Sequence, residues 1–320
     1  MAYPTPAVTV TTAATFIPEI WSDEIIAAYK KNLVLANIVM KMNFKGKKGD
    51  TVHIPAPTRG SASAKAASTA VTLIADTETE IQVSINQHFE YSRFIEDIVE
   101  AQALNSLRQF YTADAGYALA KQVDTSLIQL GRAFNGATVG TDDYATAAAT
   151  TKAFIGGDGT TAYNSSTSNA SALTDAAIRR TIQRLDDNDT PMDNRFFVIP
   201  PSSRNTLMGL SRYTEQAFVG NGNAIRTGEI GQLYGIPVFT SSNADKGAGN
   251  TTTDRICLMG HKDSMVLVEQ IGIRSQTQYK QDFLATLFTS DTLYGVKAIR
   301  AAASSGAALS SSAFALAVPA

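Results

Sequence analysis

The 320-residue chain predicts an α+β fold, and three features carry that expectation. Runs of strict apolar–polar alternation mark half-buried strands. One long stretch free of proline places apolar residues at three- and four-residue spacing, the signature of a helix. Strand and helix signals also come in blocks rather than as regular βαβ units, and no internal repeat is present.

Residues 1–15 are small and polar without a period and suit an extended arm. Ser22 is placed to cap a short helix. Asp23 and Glu24 would lie in its first turn, and Ile25, Ile26, Tyr29, Leu33 and Val34 follow at helical spacing. The first fifty residues are expected to lie outside any domain core. Lys41, Lys45, Lys47 and Lys48 surround Gly46 and Gly49. They read either as a solvated turn or as a contact with an acidic partner surface. Val52 and Ile54 then alternate with Thr51 and His53, and a loose Ser/Ala/Gly/Thr stretch covers 60–70. Ile81, Val83, Ile85, Phe89 and Tyr91 alternate with polar neighbours, which predicts one long strand and, with 51–54, a long hairpin. A two-stranded hairpin is marginal in water, so it should lean on something else.

No proline occurs between Pro57 and Pro191. A helix from about Phe94 to Leu130 would be about 55 Å long. A pair of helices broken near Gly116 is the alternative. Residues 134–172 are poor in bulky apolar side chains and read as a surface loop. A helix is expected from Thr174 or Asp175 through Ile178, Ile182 and Leu185. An acidic turn, the strand Phe196–Ile199, and a short helix capped by Ser202 follow. Further strands are expected at Ile236–Phe239, Ile256–Met259, Met265–Ile273, Phe283–Phe288 and Thr292–Ile299. An Ala/Ser-rich tail closes the chain.

Composition excludes several functions. With 44% hydrophobic and 18% charged residues the chain can bury a core. A net charge of −2 is far from the strongly basic balance of a binder that works by neutralising phosphates. The single cysteine, Cys257, rules out an internal disulfide and a cysteine-based zinc site, and it reads as a small buried hydrophobe. No signal-peptide pattern or membrane-length apolar run appears, so a soluble intracellular chain is expected. His53, His88 and His261 fall on polar phases or in a turn and read as non-catalytic. No G-x-S-x-G elbow is present. Gly220-Asn221-Gly222 fails as a dinucleotide fingerprint because Ile225 replaces the third glycine, and 46–48 fails as a P-loop. The acidic run from Asp186 fails as an EF-hand because Pro191 and Phe197 occupy the obligatory glycine and glutamate positions. No catalytic, cofactor or metal site is expected.

The order of elements resembles a tailed-bacteriophage major capsid protein of the HK97-like fold, podovirus type. The resemblance rests on several strings. Leu185…Pro191…Arg195-Phe196-Phe197-Val198-Ile199-Pro200-Pro201 is similar to the helix–loop–strand passage of the apical domain in such coats. Gly228…Leu233-Tyr234-Gly235-Ile236-Pro237-Val238 is similar to their Gly-x-Pro-Val strand. Phe94-Ile95-Glu96-Asp97 with Ala101-Gln102 is similar to the start of their spine helix. The resemblance implies an N-terminal arm (1–50), an extended hairpin or E-loop (51–91), and a spine helix of the peripheral domain (92–133). It further implies a loop or insertion (134–172), an apical domain (173–260), and returning strands with a tail (261–320).

The implied function is structural. Pentamers and hexamers would tile an icosahedral shell around double-stranded DNA, which the inner face would touch without sequence-specific binding. The shell would be assembled in the host cytoplasm with scaffolding and portal proteins and, in some shells, a cement protein. No membrane or enzymatic role is implied. Expected interface residues are Arg59 and Lys65 near the hairpin tip, meeting Glu96, Asp97 or Glu100 of an adjacent subunit. The rival readings are an encapsulin shell, a tail or decoration protein, and a hydrolase. An encapsulin usually begins with a helix instead of an extended segment.

Overall fold

The computed structural model describes residues 34–46, 48–57, 62–71, 73, 78–96, 106–133, 154–156, 170–210, 231–244, 254–299 and 312–319. The expected arm before Val34, with its Ser22 cap, lies outside them, as does most of 134–172. The elements in chain order are α1 (Leu35–Ile38), β1 (Met40–Asn43), β2 (Thr51–Pro57), β3 (Glu78–Ser84), β4 (Gln87–Glu96), α2 (Ser106–Ala133), β5 (Phe154–Gly156), α3 (Asp175–Asp187), β6 (Arg195–Ile199), α4 (Pro201–Met208), β7 (Gln232–Leu233), β8 (Ile236–Thr240), β9 (Asp254–His261), β10 (Met265–Lys280), β11 (Ala285–Ala298) and β12 (Ala313–Pro319). They form three sheets, ordered β1-β10-β11-β4, β5-β12-β9-β6-β8-β7, and β2-β3.

The six-stranded sheet carries the main core. All five residues of β6 are buried, and α3 covers the sheet with Ala177, Ile178, Thr181 and Leu185, which share one helical face. Thr174 caps α3, accepting from the Ala177 N–H at 3.2 Å. The acidic run after α3 is a helix-to-strand turn closed by Arg195. Its guanidinium is buried and donates to Asp186 Oδ1 at 2.7 Å, Thr190 O at 2.6 Å and Pro191 O at 2.8 Å. Pro201 opens α4 at a position where no N–H is needed. The expected Ser202 cap is absent: Pro200 is the flanking residue, and the Ser202 hydroxyl instead donates to Pro319 O at 3.0 Å. Cys257 is buried beside the Ser203 hydroxyl, and burial pushes its thiol up to about 12.

Several expectations are corrected. Residues 34–43 belong to the fold: Val34, Leu35 and Val39 are buried in the main core, and β1 pairs in parallel with β10. The alternation over 81–91 is two strands in different sheets, broken at Ile85–Asn86. The Ile85 N–H turns to Asp50 O at 2.7 Å, and β11 passes so close at Gly295 that a Cβ there would lie 2.4 Å from Ser84 O. Phe94, Ile95 and Glu96 are not the start of the spine helix. They end β4, where backbone pairing to Leu287, Thr286 and Ala285 overrides the local helical pattern. α2 itself is continuous through Gly116 and spans about 42 Å.

The three strands expected over 265–299 are one long hairpin, β10–β11. Its polar middle stays extended because its polar groups are paired. Asp291 takes both ends of the Arg274 guanidinium at 2.8 and 2.9 Å, and the Ser275 and Ser290 hydroxyls lie 2.8 Å apart. Part of the expected 134–172 loop, β5, adds to the sheet edge beside β12. The expected Ala/Ser tail ends in β12, where six of seven residues are buried between the edge strand β5 and β9 of the six-stranded sheet. At its start β9 approaches so closely that a Cβ on Gly260 would lie 2.6 Å from that of Ala313, which is why glycine stands opposite alanine at that pair.

Candidate assembly interface

The β2–β3 hairpin pairs only within itself among the described residues, with Thr51 opposite Ser84 and Ile54 opposite Ile81. Its root is anchored. Val83 and Ile85 form a small core with Val266 and Val268, flanked by Val52, Ile54, Met40 and Met42. Lys297 Nζ donates to Gln82 O at 2.7 Å, and Gln270 Nε2 donates to Gly49 O at 3.0 Å. Lys45, from the lysine cluster, pairs with Glu269 of its own chain at 3.5 Å. Away from the root the support ends: residues 62–71 are all exposed.

Beyond the hairpin root the four-stranded sheet is covered on one face at β4. Tyr91 and Arg93 turn toward α2, where the Tyr91 hydroxyl donates to Asp114 at 3.2 Å and the Arg93 guanidinium lies 4.6 Å from the Tyr111 ring centre. His88, Glu90, Ser92, Phe94 and Glu96 alternate onto the opposite, exposed face. At its far end the β10–β11 turn, Gln281–Phe283 with Leu284 in left-handed backbone, carries Phe283 against Phe94.

Of the expected interface residues, Lys65 is exposed in the hairpin loop and Glu96 is exposed at the end of β4. Arg59, Asp97 and Glu100 lie outside the described residues. Sequence reasoning missed Val71, Leu73, Phe94, Phe283 and Leu284, each a large apolar side chain at least half exposed. The signal was available at Phe94: on the alternation that begins at Ile81 it falls on the polar phase.

The histidines have structural partners. His53 Nδ1 is 2.9 Å from Glu80, His88 Nε2 is 3.2 Å from Asp291, and His261 Nδ1 accepts the Asp263 N–H at 3.2 Å. A cavity of about 280 Å³ between the hairpin root, α2 and β11 is lined by amides, hydroxyls, two aliphatic side chains and Lys297. No carboxylate or imidazole is among those lining residues. Among the described residues no group of three or more His, Cys, Asp or Glu could hold a metal ion, and no helix is long and apolar enough to cross a membrane.

This architecture is similar to those of solved phage structures. A Mycobacterium phage Che8 structure aligns at a TM-score of 0.72 and 21% identity over 94% of this chain and 97% of that one. The capsid structure of cyanophage P-SCSP1u aligns at 0.68 and 17% identity over 96% and 94%. The bacteriophage PhiM1 mature capsid aligns at 0.69 and 14% identity over 94% and 92%. Such identities show the shared fold, the HK97-like capsid fold. No curated protein matches the chain in sequence. The family model described as phage capsid protein matches residues 16–304, from within the expected N-terminal arm to beyond the β10–β11 hairpin. The encapsulin, tail and decoration readings are therefore not favoured, and the chain belongs to the phage capsid protein family, as a structural major capsid protein of the virion.

Proposed function

We propose that this capsid protein assembles as pentamers and hexamers into an icosahedral shell around double-stranded DNA. The observation that supports this most is the β2–β3 hairpin, a two-stranded element too small to stand alone, which projects an exposed loop from an anchored root. Laid over a neighbouring copy, it would bury surface that one chain leaves in water. Residues 1–33, which precede the part of the N-terminal segment packed in the core, would cross subunits in the same way. Lys65 and Arg59 would meet Glu96, Asp97 or Glu100 of an adjacent copy. Single exposed pairs contribute about 0–1 kcal/mol each, and repetition around a shell makes them count.

The net charge of −2 suits a wall that encloses DNA without neutralising it. Scaffolding and portal proteins would direct assembly in the host cytoplasm, and some shells would carry a cement protein. Expansion of a precursor shell would move the arm and bend the spine helix, a switch between two packings. The catalytic role is nil in this reading.

Negative-stain microscopy with light scattering on the purified chain tests it, with co-purifying nucleic acid assayed. Closed shells, or discrete pentamers and hexamers, are expected. Deleting 62–71 should abolish closed shells and leave the six-stranded sheet folded by circular dichroism. A chain that stays monomeric under crowding and with co-expressed scaffold would overturn the reading.

A further inference from the structure

The cavity between the hairpin root, α2 and β11 has no part in the assembly described above. It holds about 280 Å³, room for roughly nine waters at about 30 Å³ each. Ser126 and Leu130 of α2 are its buried floor. Gln82, Ser84, Asn86 and Lys297 are exposed and form its mouth.

The lining has a consistent chemistry. It comprises four carboxamides, two hydroxyls and one ammonium beside Leu130 and Val296, with no carboxylate. Lys297 is the one charge. Its Nζ donates to Gln82 O at 2.7 Å, and an ammonium carries two more protons to give. Gln87 Oε1 is buried without a hydrogen-bond partner, so the fold does not engage that end of the carboxamide. A half-turn of a carboxamide exchanges its oxygen and nitrogen, so it can serve either as acceptor or as donor. Glu80 accepts from Gln82 Nε2 but is not among the lining residues, and its charge is paired with His53.

These groups select the occupant. A metal cation would meet no carboxylate. An apolar ligand would strip water from polar side chains and give them no partner. An anion would be met by charge-assisted hydrogen bonds. The donors come from the hairpin root, from the break between β3 and β4, from α2 and from β11. A tetrahedral oxyanion presents acceptors in all these directions, whereas a carboxylate presents them at one end.

We propose that this cavity is a binding site for a small oxyanion of the phosphate type. Lys297 supplies the charge, and the carboxamides of Asn86, Gln87 and Gln129 supply donors. The bound ion would tie the hairpin root to α2 and β11 and stiffen the hairpin at its base.

The test is calorimetric titration of the full chain with inorganic phosphate, at an ionic strength held constant with sodium chloride. Saturable binding of one phosphate per chain is expected. Hydrogen exchange should slow over 82–87 and 126–130 while β6 and β9 keep their rates. Gln129→Glu keeps the side-chain shape but sets a like charge against the ion, and should weaken binding about tenfold or more. Lys297→Gln should weaken it as much. That change also removes the contact with Gln82 O, so its unfolding midpoint is measured without phosphate, and Gln129→Glu alone decides if the midpoint falls. Lys280→Gln, at the opposite end of β10 from the residue paired with Lys297, should bind as the unmodified chain does. Absence of saturable binding would leave the cavity to water and overturn the proposal, as would binding that Gln129→Glu leaves unchanged. Duplex DNA is the other source of phosphate groups. It should not compete with phosphate, because its backbone cannot reach the buried floor. Competition by the duplex would assign these residues to packaged DNA and overturn the small-ion site. The site lies within one chain, so its failure leaves the shell reading untouched.

Discussion

β6 buries all five of its residues and β12 six of its seven, while in the β2–β3 hairpin Val83 is the one fully buried side chain among those described. Both regions are extended backbone, but β6 and β12 are largely apolar while the hairpin alternates apolar with polar residues. The six-stranded sheet stacks neighbours on each side and helices above, so its stability is internal. The hairpin has one partner strand and a small root cluster, so its stability depends on what it meets. The contrast separates the part of the chain that folds from the part that joins.

The sharpest way to break the contrast is to remove a core ring. Phe197→Ala should cost about 3–5 kcal/mol in denaturant unfolding, because a fully buried ring leaves a cavity. A loss below about 1 kcal/mol would mean that the sheet is no more self-sufficient than the hairpin.

Two glycines offer a matched pair. A Cβ on Gly260 meets Ala313 at 2.6 Å inside the six-stranded sheet, and one on Gly295 meets Ser84 O at 2.4 Å under the hairpin root. Each alanine substitution should cost about 1–3 kcal/mol, but in different places. Gly260→Ala should lower the global unfolding midpoint. Gly295→Ala should speed hydrogen exchange in β2 and β3 while β6 and β9 stay protected. Equal exchange changes in both regions would erase the distinction.

The acids sharpen it further. Asp124 is fully buried on α2, capping the Leu35 and Ala36 N–H groups at 2.8 and 3.3 Å, and burial raises its pKa above 3.8 despite the amide it accepts from Asn243. Asp291, in the four-stranded sheet, is held below 3.8 by the Arg274 guanidinium, with His88 adding to the effect. The signs are opposite. Asp124 disfavours the folded state at neutral pH, and this relaxes as pH falls through its raised value toward 3.8. Asp291 contributes stability that is present above 3.8 and lost as pH falls through its lowered value. Unfolding midpoints measured from pH 7 to pH 3 should therefore show Asp124→Asn losing the acid-side gain and Asp291→Asn losing the acid-side fall. A pH profile unchanged by either substitution would sink the assignment.

The smallest effect is expected at His53 and Glu80 on the exposed face of the hairpin. Both side chains are at least half in water, where solvent screens the pair. His53→Ala should leave the unfolding midpoint unchanged within error. A measurable drop would show that the hairpin is more self-supporting than its burial suggests.

The helix-to-strand passage was legible in sequence because its signals are local. Thr174 caps α3, the apolar positions of 178–185 repeat at helical spacing, and Pro191 and Pro200 bracket a buried five-residue strand. The order of such strings also carried the resemblance to capsid proteins. The candidate interface was only half legible. Lys65 and Glu96 could be named as charges near a loop and an element end, but the apolar cluster beside Glu96 could not. It joins β4 to the β10–β11 turn across almost two hundred residues of chain.

The sequence by itself determined which stretches bury a face, because hydrophobic period is written residue by residue. It also determined the α+β class and the capsid-like order of elements. Only the tertiary structure decided what each face is buried against. The alternation over 81–91 splits between two sheets where β11 passes under Ser84. Polar residues 274–280 stay in a strand because partners on β11 satisfy them, and an Ala/Ser-rich tail ends in the core because β12 pairs along its length with β9. A local pattern specifies the period of burial. The partner is set by contacts distant in sequence, whose free energy no short window contains.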